Sequence, residues 1–282
     1  MNEAVPTIKR DVISATGIVG AALLAWEIAV RLNNTPPYIL PSPSAIAGRL
    51  WQNAGYLCTA AGVTLGEALG GLLLGLIVGT TMAALITFLV PLERGVLALA
   101  ILVKATPLVA IAPLLTIWLG FGPLPKVIIT ALLTFFPVLI NVHSGLHAVD
   151  EAVLALFHSL DAGRWALFRH ARWPTALPYL FAALKVIAPL AVTGAVVAEW
   201  AGASAGLGRA MWLAYANLNL PVLFAAVFYS AVMSIVLYVL VIVLEKRMIF
   251  WQQNGVEIPG GPPARPAGRD ARPPSRFLEE EV

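Results

Sequence analysis

Long apolar runs separated by short polar stretches dominate this chain of 282 residues. A helix that crosses the hydrocarbon core of a bilayer needs about 20 consecutive apolar residues. Six segments are of about that length, at residues 13–30, 63–90, 96–119, 127–146, 179–200 and 220–244. Backbone amides inside lipid must be hydrogen-bonded within the protein, so these runs predict helices rather than open strands. We therefore expect an all-α membrane protein with about six transmembrane helices.

The overall composition agrees with a membrane setting. Hydrophobic residues make up 59% of the chain and charged residues 12%, whereas soluble domains are about half apolar and a quarter charged. The single cysteine, Cys58, excludes an intramolecular disulfide. The sequence predicts a cytoplasmic N-terminus at 1–12, a transmembrane domain at 13–250, and a tail at 251–282 that is disordered because it is rich in proline, glycine and charge.

The distribution of basic residues predicts the orientation, because cytoplasmic loops are enriched in Lys and Arg. With both termini inside, twelve basic residues lie on the cytoplasmic side: Lys9, Arg10, Arg94, Arg164, Arg169, Arg172, Lys246, Arg247, Arg265, Arg269, Arg272 and Arg276. Four lie on the other side: Arg31, Arg49, Lys126 and Arg209. Both termini and the loop at about 150–177 are therefore predicted to be cytoplasmic.

That loop contains a polar and basic segment, LALFHSLDAGRWALFRHARWPTALP, at residues 154–178. Apolar residues recur at helical spacing on both sides of Asp161, which predicts a helix-turn-helix. Asp161 either caps the second helix or takes the left-handed conformation that ends the first. Pro174 and Pro178 are expected to stop the second helix and begin the next span. The aromatic residues indicate a surface that packs against protein, although the arginines alone would also satisfy the orientation rule.

The loop resembles that of the permease subunits of bacterial binding-protein-dependent ABC importers, most closely the nitrate, sulfonate and taurine branch. The family pattern is E-A-A-x-x-x-G followed, nine residues later, by I-x-L-P. Asp161 stands at the glycine position and Pro174 at the proline position, while residues 155–157 replace Glu-Ala-Ala. Further similar segments lie at 37–43, 102–122, 135–141 and 198–208, so that the resemblance covers about residues 20–250.

The resemblance implies a type I ABC importer permease fold in the bacterial inner membrane. It implies two permease copies, as a homodimer, with two ATP-binding subunits and an extracytoplasmic solute-binding protein, working by alternating access. The chain itself should be no enzyme, should bind no cofactor, metal or nucleic acid, and should leave ATP to its partner. It contains no G-x-x-x-x-G-K-[ST] phosphate loop, which agrees with ATP being bound and hydrolysed by the partner subunit.

The residues expected to dock the ATPase lie in the loop. They are Phe157, Ser159, Asp161, Ala162, Arg164, Trp165, Phe168, Arg169 and Pro174. Ala155 stands where the family has glutamate, so a charge-assisted contact is lost there. We therefore expect Phe157, Trp165 and Phe168 to carry more of the docking through apolar burial.

Ionisable residues within spans are candidates for function. Glu199 and Trp200, beside a glycine-rich outer loop, are predicted to form a gate or part of the pathway. Glu67 is either solvated or in contact with another helix. His143 and His147 lie one helical turn apart, but no third ligand accompanies them, so no metal site is predicted.

Two other classes of function compete with the importer permease. A stand-alone secondary transporter or channel would leave the elaborate loop unexplained, and no repeat typical of such carriers is visible. A membrane enzyme would need a catalytic motif that the sequence lacks. The substrate stays open between a nitrate-, sulfonate- or taurine-like anion and a thiamine-precursor pyrimidine, and residues 199–202 are more similar to the pyrimidine type.

Overall fold

The computed structural model describes residues 4–250, and its side chains from residue 17 onward with the exception of Val109. All its regular elements within these residues are helical. The α-helices are α1 (Ala4–Leu32), α2 (Pro43–Gln52), α3 (Ala54–Phe88), α4 (Val90–Ala105), α5 (Leu108–Leu119), α6 (Leu124–His147), α7 (Glu151–Ser159), α8 (Arg164–Leu167), α9 (Trp173–Trp200), α10 (Leu207–Ala216) and α11 (Leu220–Met248). The predicted tail at 251–282 lies outside the described residues.

Four helical stretches in the described part are long and apolar enough to cross a membrane: α3, α6, the continuous stretch Arg164–Trp200, and α11. Helices α4 and α5 would supply a fifth crossing if the bent pair is one span. The first predicted span, 13–30, falls inside α1. The multi-helix membrane fold is thus confirmed, and the crossing of α1 stays a prediction.

The third predicted span is not one straight helix. It breaks at Thr106 and Pro107, and its two parts meet at 99°. Thr106 is extended, with ψ of 130°, as expected of a residue that precedes proline. Pro107 has no N–H to continue the helical ladder. The apolar run predicted the membrane setting of this segment correctly, and the proline decides its path.

The centre of the protein is the contact between α3 and α6, with α9 packed on α6 from the other side. Gly71, Gly75 and Gly79 follow at intervals of one turn on α3 and face α6. A Cβ on Gly75 would lie 2.8 Å from the Ala131 carbonyl oxygen, so the two backbones are in contact. Small residues at such spacing allow membrane helices to approach closely.

Helix α2 is a short, exposed helix that precedes the first long span. Ser42 is its N-cap, with its Oγ accepting from the Ala45 N–H at 3.3 Å. The Glu27 carboxylate of α1 accepts from the backbone N–H of Ser44 at 3.0 Å and from its hydroxyl at 2.8 Å. Trp51 is 87% exposed. A short helix with an exposed tryptophan is typical of a segment that lies in the membrane interface.

Candidate functional site

The predicted loop is a helix, a turn and a second helix. Asp150 caps α7, with its Oδ1 accepting from the Ala152 N–H at 2.8 Å. Asp161 ends the turn in the left-handed region with φ of 48°, and the Ala162 N–H donates to the Phe157 carbonyl at 3.0 Å. The left-handed interpretation of Asp161 is therefore confirmed, while the N-cap of α8 is Gly163. Glycine adopts this conformation without cost and aspartate tolerates it, which explains the substitution at the family's glycine position.

The expectation that Pro174 and Pro178 stop the second helix is wrong. Helix α8 passes through one π-helical turn, Phe168–Arg172, into α9 without interruption. The Trp173 N–H bonds to the Phe168 carbonyl five residues earlier. Pro174 sits in the first turn of α9, directly after this widened turn, where a missing N–H is tolerated. One rod of 37 residues, Arg164–Trp200, therefore joins the loop to the far end of the fifth predicted span.

The aromatic residues of the loop have two different roles. Phe168 is half-buried, and its ring centroid lies 5.0 Å from that of Phe88 at the end of α3. Trp165 stacks on Phe168 at 5.5 Å but remains 63% exposed. Both rings tie the loop to α3, since Trp165 also stacks on Phe88 at 6.3 Å, but only Trp165 leaves most of its surface available to a partner.

The other predicted docking residues divide in the same way. Ser159, Asp161, Arg164 and Arg169 are exposed, whereas Phe157, Ala162 and Pro174 are half-buried. Their contact with an ATPase stays a prediction.

At the other end of the rod, Glu199 is 1% exposed. Its Oε1 accepts from the Thr64 hydroxyl at 2.6 Å, and its Oε2 accepts from the backbone N–H of Gly208. The Thr64 Oγ1 accepts in turn from the Leu207 N–H at 2.8 Å. These two amides belong to the first turn of α10, where N–H groups have no partner within the helix. A carboxylate there satisfies them and interacts favourably with the helix dipole.

The turn before α10 requires glycine. Gly206 has φ of 109°, a conformation that side chains rarely adopt. A Cβ on Gly206 would overlap the Glu199 carboxyl group. The carboxyl group of Glu199 therefore packs directly against the segment Gly206-Leu207-Gly208, whose two glycines let the backbone approach it.

Two more ionisable groups lie near Glu199, buried among the helix ends opposite the loop. Glu67 is 6% exposed, and its carboxyl group interacts electrostatically with that of Glu199 on α9. Lys126 is 1% exposed, and its Nζ donates to the carbonyls of Phe121, Gly122 and Gly202 at 3.0, 2.9 and 2.8 Å. The alternative in which Glu67 contacts another helix is therefore confirmed. We call Glu67, Lys126, Glu199 and Thr64 the outer polar cluster.

Lys126 was missed as a functional candidate, since the sequence assigns it only to the outer loop charges. Its position next to a long apolar run, 127–146, was the available signal, because intramembrane charges are by default functional or paired. The two histidines give no metal site: within the described residues, no group of three potential ligands is present. His143 instead lies 3.2 Å from Glu93.

An apolar cavity of about 550 Å³ adjoins the outer polar cluster. Trp200, Val196 and Val197 of α9 form one wall, and Pro113 and Met211 close it from α5 and α10. None of the described residues that line it carries a charge. The predicted gate residue Trp200 is thus part of a cavity wall, while Glu199 faces the polar cluster and the start of α10.

The structure is thus a multi-helix membrane protein in which one continuous helical stretch joins the loop to the capped start of α10 at the opposite end. Residues 71–250 match the family described as binding-protein-dependent transport system inner membrane component. The chain belongs to this family and is a multi-pass permease of the inner membrane.

Three relatives show the branch within the family. The riboflavin transport system permease protein RibX of Chloroflexus aurantiacus is 35% identical, over 82% of this chain and 87% of its own length. The formylaminopyrimidine transport permease protein ThiX of Halalkalibacterium halodurans is 32% identical, over 82% and 93%. The taurine transport system permease protein TauC of Escherichia coli is 27% identical, over 86% and 91%. The resemblance to the sulfonate and taurine branch, including the pyrimidine type, is confirmed.

The fold agrees with a solved importer. The inward-facing MetNI methionine ABC transporter superposes with a TM-score of 0.57 at 17% identity, covering 70% of this chain and 96% of that one. At this identity the similarity shows the fold alone. Together with the family match, it favours the importer permease over the stand-alone carrier or channel.

Proposed function

We propose that two copies of this chain form the pathway of an ATP-driven importer, with two ATP-binding subunits docked on the loops and a solute-binding protein on the other face. The observation that carries the proposal is the rod Arg164–Trp200, which begins in the loop and ends at Glu199. A displacement of the loop is passed along this stretch, because its helix is continuous from Arg164 to Trp200. The loop and the outer polar cluster are therefore mechanically linked.

The same geometry suggests how access alternates. The Phe168 contact with Phe88 ties the loop to α3 at one end, and Thr64 of α3 bonds to Glu199 at the other. A pull on the loop would shift α3 and α9 together and carry α10 with them through its capped first turn. Both termini and the loop are proposed to face the cytoplasm, and ATP is proposed to be hydrolysed only on the partner subunit.

We expect the substrate to be a flat heterocycle of the pyrimidine or flavin kind. The cavity at Trp200 offers an indole ring and aliphatic walls, and none of the described lining residues is charged. A sulfonate or nitrate anion would need charged or polar hydrogen-bond donors in the cavity wall, whereas a neutral heterocycle can stack on the indole ring of Trp200. The relatives named for a formylaminopyrimidine and for riboflavin, at 32% and 35% identity, support this choice over taurine.

The docking surface gives a first prediction. Trp165→Ala is expected to abolish co-purification of the ATP-binding subunit while lowering the thermal stability of the permease less than Phe168→Ala does, because Trp165 is 63% exposed although it stacks on Phe88 and Phe168. Phe168→Ala removes the contact with Phe88 and should lower the free energy of unfolding by about 1–3 kcal/mol. Affinity purification of the tagged permease from cells that express both subunits, with a melting curve in detergent, measures both effects.

The matched control is Trp212→Ala on α10, a tryptophan that is also exposed but lies outside the loop. It should leave the ATP-binding subunit attached. Normal co-purification and uptake after both loop substitutions would show that docking does not depend on these aromatic residues.

The substrate prediction is tested by uptake. In cells that carry the importer with its own binding protein, Trp200→Ala should reduce uptake of labelled formylaminopyrimidine or riboflavin at least tenfold, and Trp212→Ala should change it little. Competition identifies the class: an excess of the heterocycle should inhibit, and an excess of taurine should not. Inhibition by taurine alone would contradict the heterocycle assignment.

A further inference from the structure

A second cavity, of about 290 Å³, lies between the loop and the membrane helices. Arg164 and Arg172 of the loop line it together with His147 and His158. Phe88 and Val90, at the corner where α3 passes into α4, form its apolar side. This loop-side cavity is distinct from the cavity at Trp200 and belongs to no step of the transport cycle proposed above.

Among the described residues, no acidic side chain neutralises the charge of the two arginines. No acidic side chain is among the described residues that line the cavity. Within residues 17–250 the ion pairs are Arg31 with Glu27, His143 with Glu93, and Lys185 with Glu245, so neither arginine takes part in one. A concave site with apolar walls focuses the field of such charges. The cavity therefore favours an anion.

The geometry of the donors narrows the class of anion. Arginine presents several N–H groups in a planar fork that matches the oxygens of phosphate and carboxylate. Arg164 stands on α8 and Arg172 closes the π turn, so the two guanidinium groups approach the cavity from different turns of the same rod. A volume of about 290 Å³ is larger than a single carboxylate side chain requires and accommodates a phosphodiester with its glycerol substituent.

The surroundings of the cavity resemble a lipid-facing surface. At the corner between α3 and α4, Leu89, Val90 and Leu92 are 44%, 65% and 48% exposed. Exposed apolar side chains in a row, at the end of a membrane-spanning helix, are suited to acyl chains. Leu156, Leu160 and Trp165 of the loop are also exposed but do not line the cavity.

We infer that the loop-side cavity binds the phosphate group of an anionic phospholipid, whose acyl chains lie against the corner of α3 and α4. Basic pockets between membrane helices are known to take such head groups. The bound lipid would join Arg164 and Arg172 of the rod to the end of α3 and so brace the loop for its partner. The inference does not depend on the identity of the transported solute.

The experiment uses the full-length protein in nanodiscs of phosphatidylcholine that contain a small fraction of phosphatidylglycerol or cardiolipin. Native mass spectrometry after gentle release counts the retained anionic lipids. The unmodified protein should retain them, and Arg164→Gln with Arg172→Gln should reduce retention at least tenfold. Arg172→Gln alone has a matched control in Arg169→Gln, which also removes one charge from the π turn but at an exposed position outside the cavity. Retention should stay within twofold in this variant.

The remaining arms separate the possible sources of the anion. Anionic lipid is expected to stabilise the permease in a melting curve. Inorganic phosphate or glycerol 3-phosphate at millimolar concentration, added to the protein in pure phosphatidylcholine nanodiscs, should not reproduce this stabilisation. If the Arg169 variant loses as much lipid as the Arg164 and Arg172 variants, lipid retention depends only on general surface charge. That result would contradict a binding site in the cavity. Saturable binding of inorganic phosphate or glycerol 3-phosphate without lipid would also contradict the lipid site. So would retention of lipid only when the ATP-binding subunit is attached.

Discussion

Replacing Gly75 with alanine is expected to lower the free energy of unfolding by about 1–3 kcal/mol, the usual cost of overpacking, and valine should prevent correct assembly. The added Cβ would lie 2.8 Å from the Ala131 carbonyl oxygen and 3.1 Å from the Phe135 nitrogen. Both atoms belong to the backbone of α6, so no side-chain rotation can relieve the contact. Helices α3 and α6 would have to separate along the main interface of the protein. A thermal unfolding curve of the detergent-purified protein measures the loss.

Gly66→Ala is the matched control, because a Cβ at Gly66 on the same helix meets no atom within 4 Å. Alanine has the higher helix propensity, by about 1 kcal/mol, so the control should be as stable as the original protein or more stable. Equal loss in both variants would mean that the glycines serve helix flexibility rather than the close approach of α6.

Replacing Glu199 with alanine is expected to abolish uptake and to destabilise the protein by about 3 kcal/mol or more. The change leaves the Thr64 hydroxyl and the Gly208 N–H buried without their acceptor, and each lost bond to a charged group costs about 1.5–3 kcal/mol. Lys126 also loses a neighbouring negative charge. The first turn of α10 would lose its bond to α9 and keep only the one from the Leu207 N–H to the Thr64 hydroxyl. Uptake assays measure the loss of transport, and hydrogen exchange of the amides at 207–211 measures the release of the first turn of α10.

The variant Glu199→Gln tests whether Glu199 acts through its negative charge or through the hydrogen bonds that position α10. The amide keeps one oxygen for the Thr64 hydroxyl or the α10 amide but cannot serve both, so uptake should fall by at least tenfold and exchange at 207–211 should rise less than in the alanine variant. Thr64→Val should produce a similar defect, and combining it with Glu199→Gln should add little, because contacting residues in one network are not additive. Normal uptake by Glu199→Gln would remove Glu199 from any gating role.

Several parts of this structure follow from the sequence pattern. Apolar runs predicted the positions of α3, α6, α9 and α11, because a long segment with so few charges is stable in the membrane. The spacing of apolar residues around Asp161 predicted the helical loop. These features are local: each depends on residues within one or two helical turns.

The features that were mispredicted or missed depend on contacts between distant residues. Pro174 was expected to end a helix, since its ring cannot be accommodated in a regular α-helix interior, yet the π turn before it removes that conflict. Lys126 was assigned to a loop because its three acceptors, the carbonyls of Phe121, Gly122 and Gly202, come together only in the folded chain.

The sequence by itself determined the membrane setting, the approximate limits of the main helices and the loop, since hydrophobic length, helical periodicity and turn chemistry are properties of neighbouring residues, and its motifs carried the resemblance to the family. Only the tertiary structure decided that Arg164 and Glu199 stand at opposite ends of one rod, and that Glu199 caps α10 beside Glu67. It also placed Arg164 and Arg172 around a cavity without acidic neighbours. The reason is physical: burial, cap geometry and unpaired charge arise from residues as far apart as Thr64 and Glu199, which only packing brings together.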